Sequence, residues 1–64
     1  MTPRLLINIL KNGVTLYLGR VFLKEGQSHN QAIKELMEHK DMKNRRHNVT
    51  GGPDMTGCVE ITIY

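Results

Sequence analysis

Near the start of the chain the hydrophobic positions come in two runs, Leu5 to Leu10 and Val14 to Leu18, separated by Lys11-Asn12-Gly13. Asn-Gly accepts the positive φ angles that both centres of a type I′ turn demand, so this spacing predicts a two-residue β-hairpin. A tight turn there pairs Lys11 with Val14, Leu10 with Thr15, Ile9 with Leu16, Asn8 with Tyr17 and Ile7 with Leu18. Side chains alternate along a strand and paired residues share a face, which gathers Leu5, Ile7, Ile9, Val14, Leu16 and Leu18 on one side. Leu6, Asn8, Leu10, Thr15, Tyr17 and Gly19 gather on the other. The same parity carries Arg20 onto the apolar side ahead of Phe22, which calls for a bulge at Gly19 or an earlier end to the strand.

Further along, the period changes. Ser28 followed by Gln31 is a capping-box pattern, and Ala32, Ile33, Leu36 and Met37 then fall on one stripe at helical spacing. Lys34, Glu35, Glu38 and Asp41 lie opposite. Extending the helix brings Lys40 and Lys43 onto the apolar side, where their stems reach past the rim of a core, so the helix is expected to project beyond the sheet. Gly51-Gly52-Pro53-Asp54 reads as a loop, and Val59, Ile61 and Ile63 alternating with Glu60, Thr62 and Tyr64 read as a final half-buried strand. A short strand from His47 to Thr50 could pair back onto it.

The expected fold is therefore α+β, a small antiparallel sheet built as ββαβ or ββαββ, with one amphipathic helix on one face. Leucines on both sides of the first strand suit a central position. A right-handed crossover through the helix then sets the last strand beside the first and antiparallel to it, in the order 2-1-last. The chain has 64 residues, room for one core and one domain spanning residues 1–64. So small a chain buries only about 60% of its unfolded surface, which makes a second copy of itself a natural source of added stability.

Composition narrows the chemistry. The one cysteine, Cys58, has no intramolecular partner, and a secreted domain of this size normally carries several disulfides, so a cytoplasmic setting is expected. Asn8 and Lys11 interrupt the longest apolar stretch well short of the ~20 residues that span a bilayer, and no removable signal peptide fits, so neither membrane insertion nor export is expected. Asn48-Val49-Thr50 matches a glycosylation acceptor, a pattern short enough to occur by chance.

No metal or cofactor is expected. His29 and His39 stand roughly 15 Å apart along one helix, and His47 with Cys58 would supply two ligands where structural zinc takes four. Catalysis is not expected either. Ser28 is occupied as a helix cap, Cys58 opens an apolar strand where thiols are buried and inert, and the acids are scattered over solvent-facing positions. The loop at Gly51 lacks the Lys-Ser/Thr ending of a phosphate loop, and a fold this small has little room for a small-molecule pocket.

Two surfaces remain as candidates. Leu6, Asn8, Leu10, Thr15, Tyr17 and Tyr64 form an outer sheet face of apolar and aromatic groups in a polar frame, the character of a protein interface, and free strand edges offer pairing by strand addition. Nine Lys and Arg against six Asp and Glu give a net charge of +3, concentrated in Lys40, Lys43, Arg45, Arg46 and His47. That segment could neutralise phosphates, although Tyr17, Phe22 and Tyr64 are the only aromatics available for stacking on bases. In size and want of catalytic equipment the chain resembles the small accessory proteins with which phages and mobile elements modulate or inhibit a host component. The first expectation is thus a non-enzymatic binding or regulatory protein that contacts a protein partner or a second copy of itself as a homodimer. The alternative is a nucleic-acid-binding module using the basic segment.

Overall fold

The computed structural model describes residues 3–64. Five elements follow in order: β1 (Arg4–Lys11), β2 (Val14–Phe22), α1 (His29–Met37), β3 (His47–Gly51) and β4 (Cys58–Ile63). They form a four-stranded sheet in the order β2-β1-β4-β3 with the helix on one face, a small α+β fold. The expected placement of the last strand beside the first holds. The segment from His47 does form the additional strand, one residue longer than its sequence pattern, at the second edge of the sheet.

The sense of β4 departs from expectation. β4 runs parallel to β1, with Leu5 beside Val59 and Ile7 beside Ile61, so the sheet is mixed rather than antiparallel. The cause is β3. α1 and its following turns return the chain to the far end of the sheet, and β3 then uses one reversal to pair antiparallel with β4. Without β3 the chain would have entered β4 from the opposite end.

The hairpin turn forms as its residues dictate, with Asn12 at φ 55° and Gly13 at φ 79°. Lys11 pairs with Val14 and Leu10 with Thr15, and there the simple register ends. A bulge leaves Leu16 as an extra residue, so that Ile9 pairs with Tyr17, Asn8 with Leu18, Ile7 with Gly19 and Leu5 with Val21. One inserted residue inverts every side chain beyond it. Tyr17, Gly19 and Val21 therefore share the helix side with Leu5, Ile7 and Ile9, whereas Leu18, Arg20 and Phe22 share the outer side with Leu6 and Asn8.

This corrects the expected faces: Tyr17 and Gly19 leave the outer face, and Leu16 and Leu18 leave the core, both largely exposed. It also resolves Arg20, which points outward without any bulge at Gly19 and lays its guanidinium 5.6 Å from the centre of the Phe22 ring. Gly19 has a different use. A Cβ there would collide with the Tyr17 ring, which lies over the bare backbone.

The core holds Leu5, Ile7 and Ile9 of β1, Val59, Ile61 and Ile63 of β4, Ala32 and Ile33 of α1, and Leu23. Leu36, Met37 and Met42 pack at its margin. α1 begins with the complete capping box. The Ser28 hydroxyl accepts from the Gln31 amide at 3.1 Å, and the Gln31 side chain accepts from the Ser28 amide at 3.0 Å. His29 Nε2 lies 2.8 Å from the Gly57 carbonyl, which can only accept, so the ring donates and ties the start of the helix to the entry of β4.

The helix does not project beyond the sheet as expected. It stops at Met37, and the Met42 and Lys43 amides fold back to donate to the His39 carbonyl. That turn brings Met42 against the core, and burial of its side chain favours closing the chain over extending a polar helix into water.

Candidate functional site

β2 is the least covered element of the molecule. The helix and β4 sit over and beside β1, and among the described residues no strand lies beyond β2 on its other side. Val14, Leu16, Tyr17, Leu18, Val21 and Phe22 are all exposed, on both faces of one strand. Its only charge is Arg20.

The hydrogen-bonding direction along β2 follows from the strand ends. The Leu23 amide donates to the Pro3 carbonyl at 2.9 Å, so the backbone of Leu23 faces inward, toward β1. The Arg4 amide donates the other way, to Gly57 at 3.1 Å. Alternation along an antiparallel ladder then aims the N–H and C=O groups of Tyr17, Gly19 and Val21 at β1, and those of Leu18, Arg20 and Phe22 into open space. A groove of about 220 Å³ runs along the helix side of this strand, lined by Val21, Ala32, Glu35 and Leu36 among others.

The opposite edge is built differently. β3 has five residues, carries a bulge between Val49 and Gly51, and is mostly polar. Thr50 Oγ1 donates to Glu60 Oε1 at 3.0 Å and lies 3.0 Å from Thr62 Oγ1, which has a hydrogen to offer it in return. The outer face therefore divides. Its β1–β2 half carries Leu6, Leu10, Leu18 and Phe22 around Asn8, Thr15 and Arg20, and its β3–β4 half is a polar ladder.

Of the expected interface residues, Leu6, Asn8, Leu10 and Thr15 lie on or beside that outer half, with the first three half-buried and Thr15 exposed. Tyr17 is on the other face. Tyr64 follows the last residue of β4, one step beyond the Ile9–Ile63 pair, and there its amide donates to the Arg46 carbonyl at 2.8 Å. There Arg45, Arg46, His47, Asn48 and Tyr64 line a cleft of about 720 Å³. Arg45 is partly committed, since its Nη1 donates to the Leu10 carbonyl at 3.4 Å. Lys40 and Lys43 do not line the cleft, so only the second half of the basic segment borders it.

Asp54 is held well below the ordinary carboxylate range, at about 2. The causes are hydrogen bonds from the Thr56 hydroxyl at 2.7 Å, from the Cys58 amide at 3.0 Å and from the Thr56 amide at 2.8 Å, with Arg4 adding a small attraction. All three donors favour the carboxylate. Asp54 thus pins the turn that launches β4, and Arg4 reaches the same turn through Thr56 Oγ1 at 3.3 Å. A perturbed carboxyl marks a functional site in many proteins, but here every contact is spent on the loop.

Cys58 is buried, and His47 pairs with Ile63 at the other end of β4, so the two do not meet. Among the described residues no three His, Cys, Asp or Glu side chains come together in a metal-binding group. No described helix is long and apolar enough to cross a membrane. No protein-family model matches the chain, and no match was found among curated proteins or among solved structures.

The residues that sequence reasoning missed are Leu18, Arg20, Val21 and Phe22. The available signal was Arg20 itself, whose awkward parity pointed to a bulge somewhere before it.

Proposed function

We propose that the protein is a protein-binding module that works by strand addition at β2. The observation that carries this reading is the aim of the Leu18, Arg20 and Phe22 backbone groups into open space, along a strand whose apolar side chains are exposed on both faces. Backbone groups supply affinity in such pairing, and alternate side chains supply selectivity. Natural edges avoid this state with short strands, bulges and inward charges, as β3 does and the run from Tyr17 to Phe22 does not.

Leu18→Pro tests it. Proline deletes only the amide aimed at the open edge and is tolerated in edge strands, so circular dichroism should be retained. Proteins that immobilised wild type withdraws from a lysate of the source cells should be lost on the variant. Recovery of the same set on both would end the reading.

A second reading rests on the cleft that sets Tyr64 beside Arg46 and His47. An aromatic ring next to cations is suited to a single-stranded nucleic acid, with a base on the ring and phosphates on the charges. A labelled oligonucleotide should then bind at low salt, with Arg46→Ala lowering the salt slope by about one and Tyr64→Ala weakening binding about tenfold at unchanged slope. Absence of binding at low salt rules this out.

A further inference from the structure

We propose that the strand added to β2 is β2 of a second copy of this chain, antiparallel about a two-fold axis through Gly19. The inference rests on the edge reading above and names its occupant.

Surface area gives the first argument. The chain exposes 4854 Å². Folded monomers of 7.3 kDa scale to ~4200 Å², so the excess is roughly 650 Å². That approaches the ~800 Å² each partner contributes to a stable interface. β2 contributes to that area, since of its nine residues only Gly19 is not exposed.

Register gives the second. Within the straight run from Tyr17 to Phe22, an axis at Gly19 sets Leu18 opposite the partner's Arg20, and Arg20 opposite the partner's Leu18. Both residues aim their N–H and C=O groups at the open edge, so each such pair exchanges two bonds. An axis one residue later, at Arg20, would face two guanidinium groups directly, which is destabilising. With the axis at Gly19, Tyr17 meets the partner's Val21 on the helix side. The absence of a Cβ at Gly19 leaves space for both Tyr17 rings over the axis, each already lying on its own Gly19. A two-fold perpendicular to the sheet keeps both helices on one face, and the partner's Tyr17 then reaches the mouth of the groove lined by Val21, Ala32 and Leu36.

The register makes a charge-specific forecast. Sedimentation velocity at roughly 50 μM, within the affinity range of interfaces this size, should give twice the chain mass for wild type. Leu18→Glu places a carboxylate opposite each Arg20 and should hold the dimer, with binding that weakens as salt rises. Leu18→Lys places like charges opposite each other twice and should dissociate it, leaving roughly tenfold between the two constants. Leu18 is 71% exposed in one chain, so both variants should keep the wild-type circular dichroism. A wild-type monomer overturns the homodimer, and the Leu18→Pro capture experiment then stands as the separate test of a heterologous strand. A dimer weakened equally by Glu and Lys also overturns the proposal, because no axis at Gly19 would survive it.

Discussion

β1 has two neighbours, and they have met opposite fates. β4 is buried at five of its six positions and half-buried at the sixth, while β2 is exposed at eight of nine. Residue type does not explain this, since Val14, Leu16, Leu18, Val21 and Phe22 are as apolar as Val59, Ile61 and Ile63. Position does. β4 has β1 on one side, β3 on the other and α1 across its inner face, whereas among the described residues β2 has one strand neighbour and contributes nothing to the buried core. The hydrophobic effect acts on area removed from water, and an apolar strand at an uncovered edge retains that driving force for a later event.

The comparison breaks most visibly on truncation. Ile61 is 0% exposed and touches both sheet neighbours, so Ile61→Ala should cost about 3 to 4 kcal/mol through lost transfer energy and the cavity left behind. Leu18→Ala removes a side chain of similar size from β2 and should change chain stability by less than about 0.5 kcal/mol. Urea unfolding at low concentration, where each chain is alone, measures both. Equal losses would mean that β2 is covered within the single chain, and the contrast drawn here would disappear.

The strands differ as well in how far they were legible beforehand. Asn12-Gly13, the Ser28–Gln31 cap and the alternation from Val59 to Ile63 each carry their own local physics, and each formed where it was read. Strand order followed from the leucines on both faces of β1. The errors share one origin, an event that leaves little local trace. A bulge at Leu16 costs no glycine and no proline, because Leu and Tyr both suit an extended backbone, and yet it moved Tyr17 from one surface to the other. β3 is polar because it is an exposed edge, so its hydrophobic pattern was weak, and uncertainty over that strand became a reversed sense for β4. The candidate site suffered most, since faces depend on parity and parity accumulates every insertion before it. Arg20 held the missing information.

A smaller effect separates the entrances of the two strands. The turn before β4 is held by a charged carboxylate, whereas β2 leaves a turn set by backbone preference alone. Asp54 has its pKa lowered from 3.8 to about 2 by Thr56 and Cys58, so folding favours its ionised form. The stabilisation is complete above the unfolded value, declines as pH falls through the interval between the two, and is absent below about 2. Asp54→Asn keeps an acceptor oxygen without the charge, and its stability should lack this part of the acid dependence. The difference between wild type and Asp54→Asn in urea unfolding should therefore shrink steadily from about pH 5 to about pH 2. Solvent exposure keeps it the least of these effects. Hydrogen exchange locates it: measured against the intrinsic rate at each pH, the protection of the Cys58 and Gly57 amides should fall with acid in wild type more than in the variant, while amides of β2 that bond to β1 change in parallel in both. A pH-independent difference would show that the turn is held by its backbone, as the hairpin is, and that β4 owes its burial to its neighbours alone.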